Sequence, residues 1–272
     1  MIEFLGKIDR RIIYLVIGVV VTLPLITRSK MPIRVSEEVA RPFVYIDSVL
    51  VPGSVILISI DYDASSEPEL TPMFRAVLTH AFRKGHKVIY MGHWALGLPL
   101  AQLDLEEIAH TMGKEYGIDY VNLGYRPGFI TVMLAIGEEL RDIYSSDYQG
   151  VPIDSIPMLK DIHNYDQIDL IVGFEAGSTG EFWIQYVGSR FDKKMFFGTT
   201  GVVAPDLYPY YNSRQIIGLI GGLQGAAEYE TLIKEEVRAV YGMPAQSYAH
   251  IAILLFIIIG NISYILRKRK EE

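Results

Sequence analysis

The sequence predicts an α/β protein: a doubly wound, mostly parallel five-stranded sheet flanked by one N-terminal and one C-terminal transmembrane helix. Three observations lead there. From Val55 onward, short and nearly continuous apolar runs alternate with helical stretches, as parallel strands buried on both faces require. A charge-free apolar run stands near each end of the chain. Gly85 and Gly117 each precede an expected strand, at the place where a helix stops and the chain turns back.

In chain order, residues 1–11 form a basic cytoplasmic N-terminus carrying Lys7, Arg10 and Arg11. Residues 12–27, IIYLVIGVVVTLPLIT, cover roughly 24 Å at about 1.5 Å per residue, a short membrane span. TRSKMP follows instead of a small-x-small cleavage site, which favours an uncleaved anchor over a signal peptide. Residues 28–54 are a lead-in to the domain. The expected strands are 55–60, 87–91, 120–123, 168–174 and 194–198. Helices are expected near 71–84, 100–116, 130–144 and 180–191, with a last helical region over about 213–240. Strand alternating with helix implies right-handed βαβ crossovers and a three-layer domain over residues 55–247. Residues 248–266, YAHIAILLFIIIGNISYIL, form the second span of roughly 28 Å, and 267–272 a basic tail. Four basic residues follow that span directly and none precedes it closely. The positive-inside rule therefore places the protein in the cell (inner) membrane, with both termini cytoplasmic and the main domain extracytoplasmic. Arg28, Lys30 and Arg34 blunt the same signal at the first span.

Composition narrows the function. The 272 residues are 50% hydrophobic with a mean hydropathy of +0.23, too apolar for a disordered chain. A formal charge of −7 argues against a nucleic-acid partner, because phosphate binding needs a basic face. The absence of cysteine excludes disulfides, thiol catalysis and cysteine-ligated zinc.

In a doubly wound sheet, ligands bind beyond the carboxyl ends of the strands, where strand order reverses. The polar rim expected there consists of Asp61, Asp63, His93, Arg126, Glu175 and Ser178, with Thr199 and Thr200 after the fifth strand. The first loop, DYDASSEPEL, has four acids and no glycine, so it repels a pyrophosphate and gives the backbone no close approach. No dinucleotide and no other cofactor is expected. Asp61, Asp63, His93 and Glu175 are hard ligands that would suit a divalent cation. The competing reading makes Ser66 and Glu69 a capping box, with the acids favouring the positive end of the next helix. Ser178 and Glu181 fit a second box, while Gly177 and Gly180 would let a polar ligand near the backbone. Ser178 as a nucleophile would need His93 as its base, and the G-x-S-x-G elbow is absent.

A further group of residues suggests packing. Gly218 with Gly222, and Gly221 with Gly225, are spaced four apart and would share a helix face that something approaches closely. Tyr208, Tyr210 and Tyr211 cluster just upstream. Asn261 within the second span would hydrogen-bond another helix.

The stretches DYDASSEPEL, GIDYVNLGYRPG, NYDQIDLIVGFEAGSTGEFW and IGLIGGLQGAAEYE resemble a family of prokaryotic membrane-anchored α/β (Rossmann-like) proteins with a transmembrane helix at each end. The resemblance covers most of the domain and both anchors and implies architecture, but no activity and no catalytic residues. The function expected is that of a non-catalytic membrane subunit in a larger envelope assembly. Its partners would be the lipid bilayer and either copies of itself or other membrane subunits. The alternatives are a metal-assisted hydrolase or transferase acting on an envelope substrate, and a small-ligand binding or sensing module.

Overall fold

The computed structural model describes residues 9–235 and 238–271. Lys7 and the rest of residues 1–8, residues 236–237, and the side chains of Arg267, Arg269 and Lys270 lie outside the described residues. The chain divides into two units, one made from its two ends and the other spanning Ile33–Glu235.

The sheet of the Ile33–Glu235 unit has six parallel strands: β1 (Val55–Asp61), β2 (Lys87–Gly92), β3 (Tyr120–Tyr125), β4 (Leu170–Glu175), β5 (Met195–Thr199) and β6 (Leu219–Gly221). Their spatial order is β3-β2-β1-β4-β5-β6, so strand order reverses between β1 and β4. Every residue of β4 and β5 is buried, which is why these strands are unbroken apolar runs in the sequence.

Helices cover both faces. On one face Leu57, Ile89, Ile171, Met195 and Phe197 pack with α5 (Phe129–Glu138), α7 (Thr179–Phe182) and α9 (Ala204–Asn212), whose core contacts include Val132, Met133 and Leu207. A short α6 (Leu140–Ile143) follows α5. After α7 the chain runs through a π-helical stretch, Trp183–Gly188, into the turn α8 (Ser189–Phe191). On the other face lie α3 (Glu67–Arg83), α4 (Gly97–Thr111) and α10 (Gly222–Leu232). Phe74 of α3 meets Phe174 edge-on at 5.7 Å, and the Tyr90 hydroxyl donates to the Leu98 carbonyl at 2.7 Å.

The expected five strands become six, and the expected helix over 213–240 is broken. Residues 213–218 turn without helix, with Arg214 in the left-handed region at φ 61°, and the run Leu219–Gly221 pairs with β5. Helix resumes only at Gly222. The four glycines therefore do not share a helix face. Gly218 lies against the Glu38 carbonyl and the Pro42 ring, Gly221 against Ala204, Gly222 beside Gly201 and Gly225 on Ile220. Each glycine disfavours helix by up to about 1 kcal/mol, and a short apolar run between glycines is a strand pattern.

The lead-in carries structure too. Within 28–54, residues from Ile33 onward belong to the domain as α2 (Glu37–Val44) and a π turn, Tyr45–Val49. The Ser36 amide and hydroxyl both donate to the Glu228 carboxylate at 2.8 and 2.5 Å. Phe43 stacks on the buried His80 ring at 4.7 Å, and His80 Nδ1 meets the Tyr229 hydroxyl at 2.9 Å. Burial pulls the His80 pKa down to about 4.

The terminal unit contains α1 (Arg10–Thr27) and α11 (Ala239–Glu271), which pack on each other. Among the described residues two helices are long and apolar enough to cross a membrane, Arg10–Thr27 and Ala239–Leu266. α1 starts at Asp9, whose carboxylate accepts from the Arg11 amide at 2.9 Å, and ends at Arg28 in the left-handed conformation. Asn261 is exposed on α11 among apolar neighbours.

Candidate functional site

The reversal point places side chains from four strands in one row. Asp61 of β1 pairs in register with Glu175 of β4, and Glu175 with Thr199 of β5. Ser59 pairs with Met91 of β2, so His93, two residues on, stands beside Asp61. Its amide donates to Asp61 Oδ1 at 2.6 Å. Side chains alternate along a strand, so Leu57, Ser59 and Asp61 share a face with Met91, Ile171 and Phe197. That face is largely apolar until its last rung, where His93, Asp61, Glu175 and Thr199 lie next to one another beneath α5 and α7. All four are less than a tenth exposed.

Burying polar groups is costly unless each finds a hydrogen bond. Asp61 is well supplied, accepting also from Ser59 Oγ at 2.7 Å. Its neighbours are not. Glu175 Oε2 accepts from the Gly180 amide, but Oε1 has no partner. Neither ring nitrogen of His93 has one, nor has Thr199 Oγ1 or Trp183 Nε1. The His93 ring lies between Phe129 at 5.3 Å and Trp183 at 5.8 Å. Burial raises the Glu175 pKa well above the usual carboxylate value, with Asp61 adding to the shift against the opposing Gly180 bond. Burial also raises Asp61, against the pull of His93 and Ser59, and lowers His93. The whole row favours its uncharged forms.

The cover over the row combines the loop residues Trp94 and Gly177 with the first turns of α7 and the π-helical stretch after it. Trp94 packs on Gly177, where a methyl group would approach the indole to 3.2 Å. Gly180 accommodates the Glu175 carboxylate so closely that a methyl there would collide with it. Trp183 opens the π-helical stretch, a backbone form found frequently at functional sites.

The expected rim residues separate into those that join the row and those that do not. Asp61, His93 and Glu175 join it. Asp63 turns outward, where its carboxylate accepts from the Ser65 amide at 2.9 Å and hydroxyl at 2.6 Å, and these bonds hold its pKa low. Arg126 donates from Nε to the Ile143 carbonyl at 3.3 Å and lies over the Tyr144 ring at 5.1 Å. Ser178 stands at the start of α7 but makes no side-chain cap, because Glu175 takes the Gly180 amide instead. The Ser66 box is likewise not formed, as Glu69 reaches across to the Gly201 amide at 2.8 Å. Among the described residues no group of three or more His, Asp and Glu side chains is arranged to hold a metal ion.

The three tyrosines each meet a neighbour in the domain, with Tyr208 exposed and Tyr210 and Tyr211 partly buried. The Tyr208 hydroxyl donates to Glu38 at 3.4 Å, the Tyr210 hydroxyl accepts from Gln185 at 3.2 Å, and Arg41 lies over the Tyr211 ring at 5.3 Å. Trp183 is the site residue that sequence reasoning missed. Its only sequence signal is its place in GFEAGSTGEFW, eight residues after Glu175.

No protein-family model and no curated protein matches the chain. Solved structures that resemble it weakly include the following two. One, described as the crystal structure of AibC, has 10% identity and a TM-score of 0.30, over 86% of this chain and 51% of that one. The other, the glycotransferase of kitacinnamycin, has 16% identity and a TM-score of 0.27, over 74% and 45%. The chain thus spans about half the length of each. Likeness of this degree says nothing about ligand or reaction.

Proposed function

We propose that the chain is a membrane-anchored, non-catalytic subunit of an envelope assembly, whose extracytoplasmic α/β domain encloses a small uncharged polar ligand at the strand-order reversal. One observation carries the ligand: five buried polar atoms without a protein partner gather there, on His93, Glu175, Thr199 and Trp183. A neutral imidazole offers one donor and one acceptor, a hydroxyl both, and an indole N–H one donor. That mixture matches hydroxyl or amide groups. Phosphate and carboxylate are disfavoured, because the row contains two acids and the Arg126 side chain is engaged elsewhere. The metal-assisted reading loses support because Asp63 points away and Asp61 is committed to Ser59 and the His93 amide.

The test is thermal denaturation of the full chain in amphipol against a panel of small polyols and primary amides. Ligand at 100 times its Kd contributes about 2.7 kcal/mol, roughly 5–10 °C for a domain of this size. Thr199→Val abolishes that shift while raising the melting temperature of the unliganded protein, since a buried hydroxyl without a partner is costly. A panel without any shift, or a shift that survives in Thr199→Val and His93→Phe, defeats the proposal.

The anchoring rests on the length and apolarity of the two terminal helices and on the basic run after the second. The natural absence of cysteine makes the topology easy to read. Gln149→Cys, in the long connection before β4, reacts with a membrane-impermeant maleimide on intact cells. Protection until the cells are opened would place the domain in the cytoplasm.

A further inference from the structure

A second feature lies at the opposite end of the sheet, where β5 and β6 begin. A groove of about 480 Å³ is bounded by α2 and its π turn on one side and by the entries to β5 and β6 on the other. Its apolar lining includes Ala40, Val44, Val49 and the buried Ile216, and the two valines are about half exposed although each is large and apolar. Three cations share it: Arg41, Lys194 and Arg214. Arg41 is paired with Glu37 at 2.6 Å. Among the described residues Lys194 and Arg214 have no acidic partner, and both are exposed. The nearby acid Asp169 accepts from the Val55 amide at 2.8 Å. Burial raises the pKa of Tyr45 in the groove lining, and the Asp169 charge adds to that rise. In a protein of net charge −7, two cations without an ion-pair partner beside an apolar floor are unexpected on composition alone.

We propose that this groove binds a monoanionic amphiphile, a long-chain carboxylate whose head meets Lys194 and Arg214 and whose tail lies over Val44, Val49 and Ile216. The charge supplies orientation and the apolar floor most of the binding free energy, as in ligand sites that combine a greasy wall with a few placed polar groups. The site is independent of the row at the strand-order reversal, and either can be correct without the other.

The test uses the full chain in amphipol and hexadecanoic acid bearing a diazirine, photo-crosslinked and mapped by mass spectrometry. Crosslinks are expected on peptides containing Val44, Val49 or Ile216. Excess hexadecanoate suppresses them, hexadecanol does not, and Lys194→Glu with Arg214→Glu lowers them about ten-fold with an unchanged melting temperature. Crosslinks confined to α1 and α11, equal competition by hexadecanol, or labelling indifferent to the double charge reversal overturns the proposal. A Lys194→Gln, Arg214→Gln variant serves as a second arm should the reversal lower the melting temperature. Its labelling falls as well if head-group charge is what the groove reads, and unchanged labelling there also overturns the proposal.

Discussion

Gly218→Ala is expected to lower the melting temperature of the full chain by roughly 6–12 °C, the effect of about 3 kcal/mol in a domain of this size. A methyl at this position runs into the Glu38 carbonyl and the Pro42 ring. Neither can swing aside as a flexible side chain would, because one is backbone and the other a closed ring within α2. Relief requires α2 to move off β6, carrying with it the Ser36–Glu228 bonds and the stack of Phe43 on His80. The protein mass of the amphipol particle, with the polymer contribution subtracted, is the companion measurement and is expected above 30.7 kDa for an assembled subunit. The substitution leaves it unchanged, since the face that Gly218 presents is already filled by this chain. A variant that melts normally but yields smaller particles would assign the glycine to an intermolecular contact and remove the packing argument.

The second large effect is on pH dependence. Burial raises the Glu175 pKa well above its unfolded value of about 4.3, so over the interval between the two the folded chain binds more protons than the unfolded one. Stability from this group is therefore greatest in acid and falls as pH rises through that window. Asp61 acts in the same direction, while the lowered pKa of His93 acts oppositely, costing stability as pH falls below about 6.5. Glu175→Gln keeps an oxygen for the Gly180 amide and removes the titration. It is expected to raise the melting temperature at pH 8 by several degrees, about 2–4 °C per kcal/mol, and to leave it nearly unchanged at pH 4. Equal shifts at both pH values would mean that Glu175 is not held in a neutral-favouring site.

The strands were readable because a parallel strand covered on both faces has no solvent side to interrupt its apolar run. β1 to β5 consequently lie within two residues of their expected limits. β6 escaped notice because it is three residues long and its flanking glycines recur at a helical spacing. Neither capping box formed, and in both cases a carboxylate bonds a glycine amide instead. Ser66 and Ser178 occupy the right positions, but Glu69, the first box's own acid, is spent on the distant Gly201 amide, and Glu175, three residues before Ser178, takes the Gly180 amide at the start of the second helix. Asp61, His93 and Glu175 could be placed because each ends or follows a strand at the point of reversal. Trp183 could not, since its position over His93 depends on where the first turns of a helix aim, and here that backbone widens into a π form.

The clasp between Ser36 and Glu228 has a mechanical meaning. These residues lie close to where the chain enters and leaves the domain, and they are bound together by two short hydrogen bonds to one carboxylate. If both ends of the chain are held, tension through them is expected to reach this clasp before the strands. Release of α2 is then the first response expected, ahead of any change in the sheet.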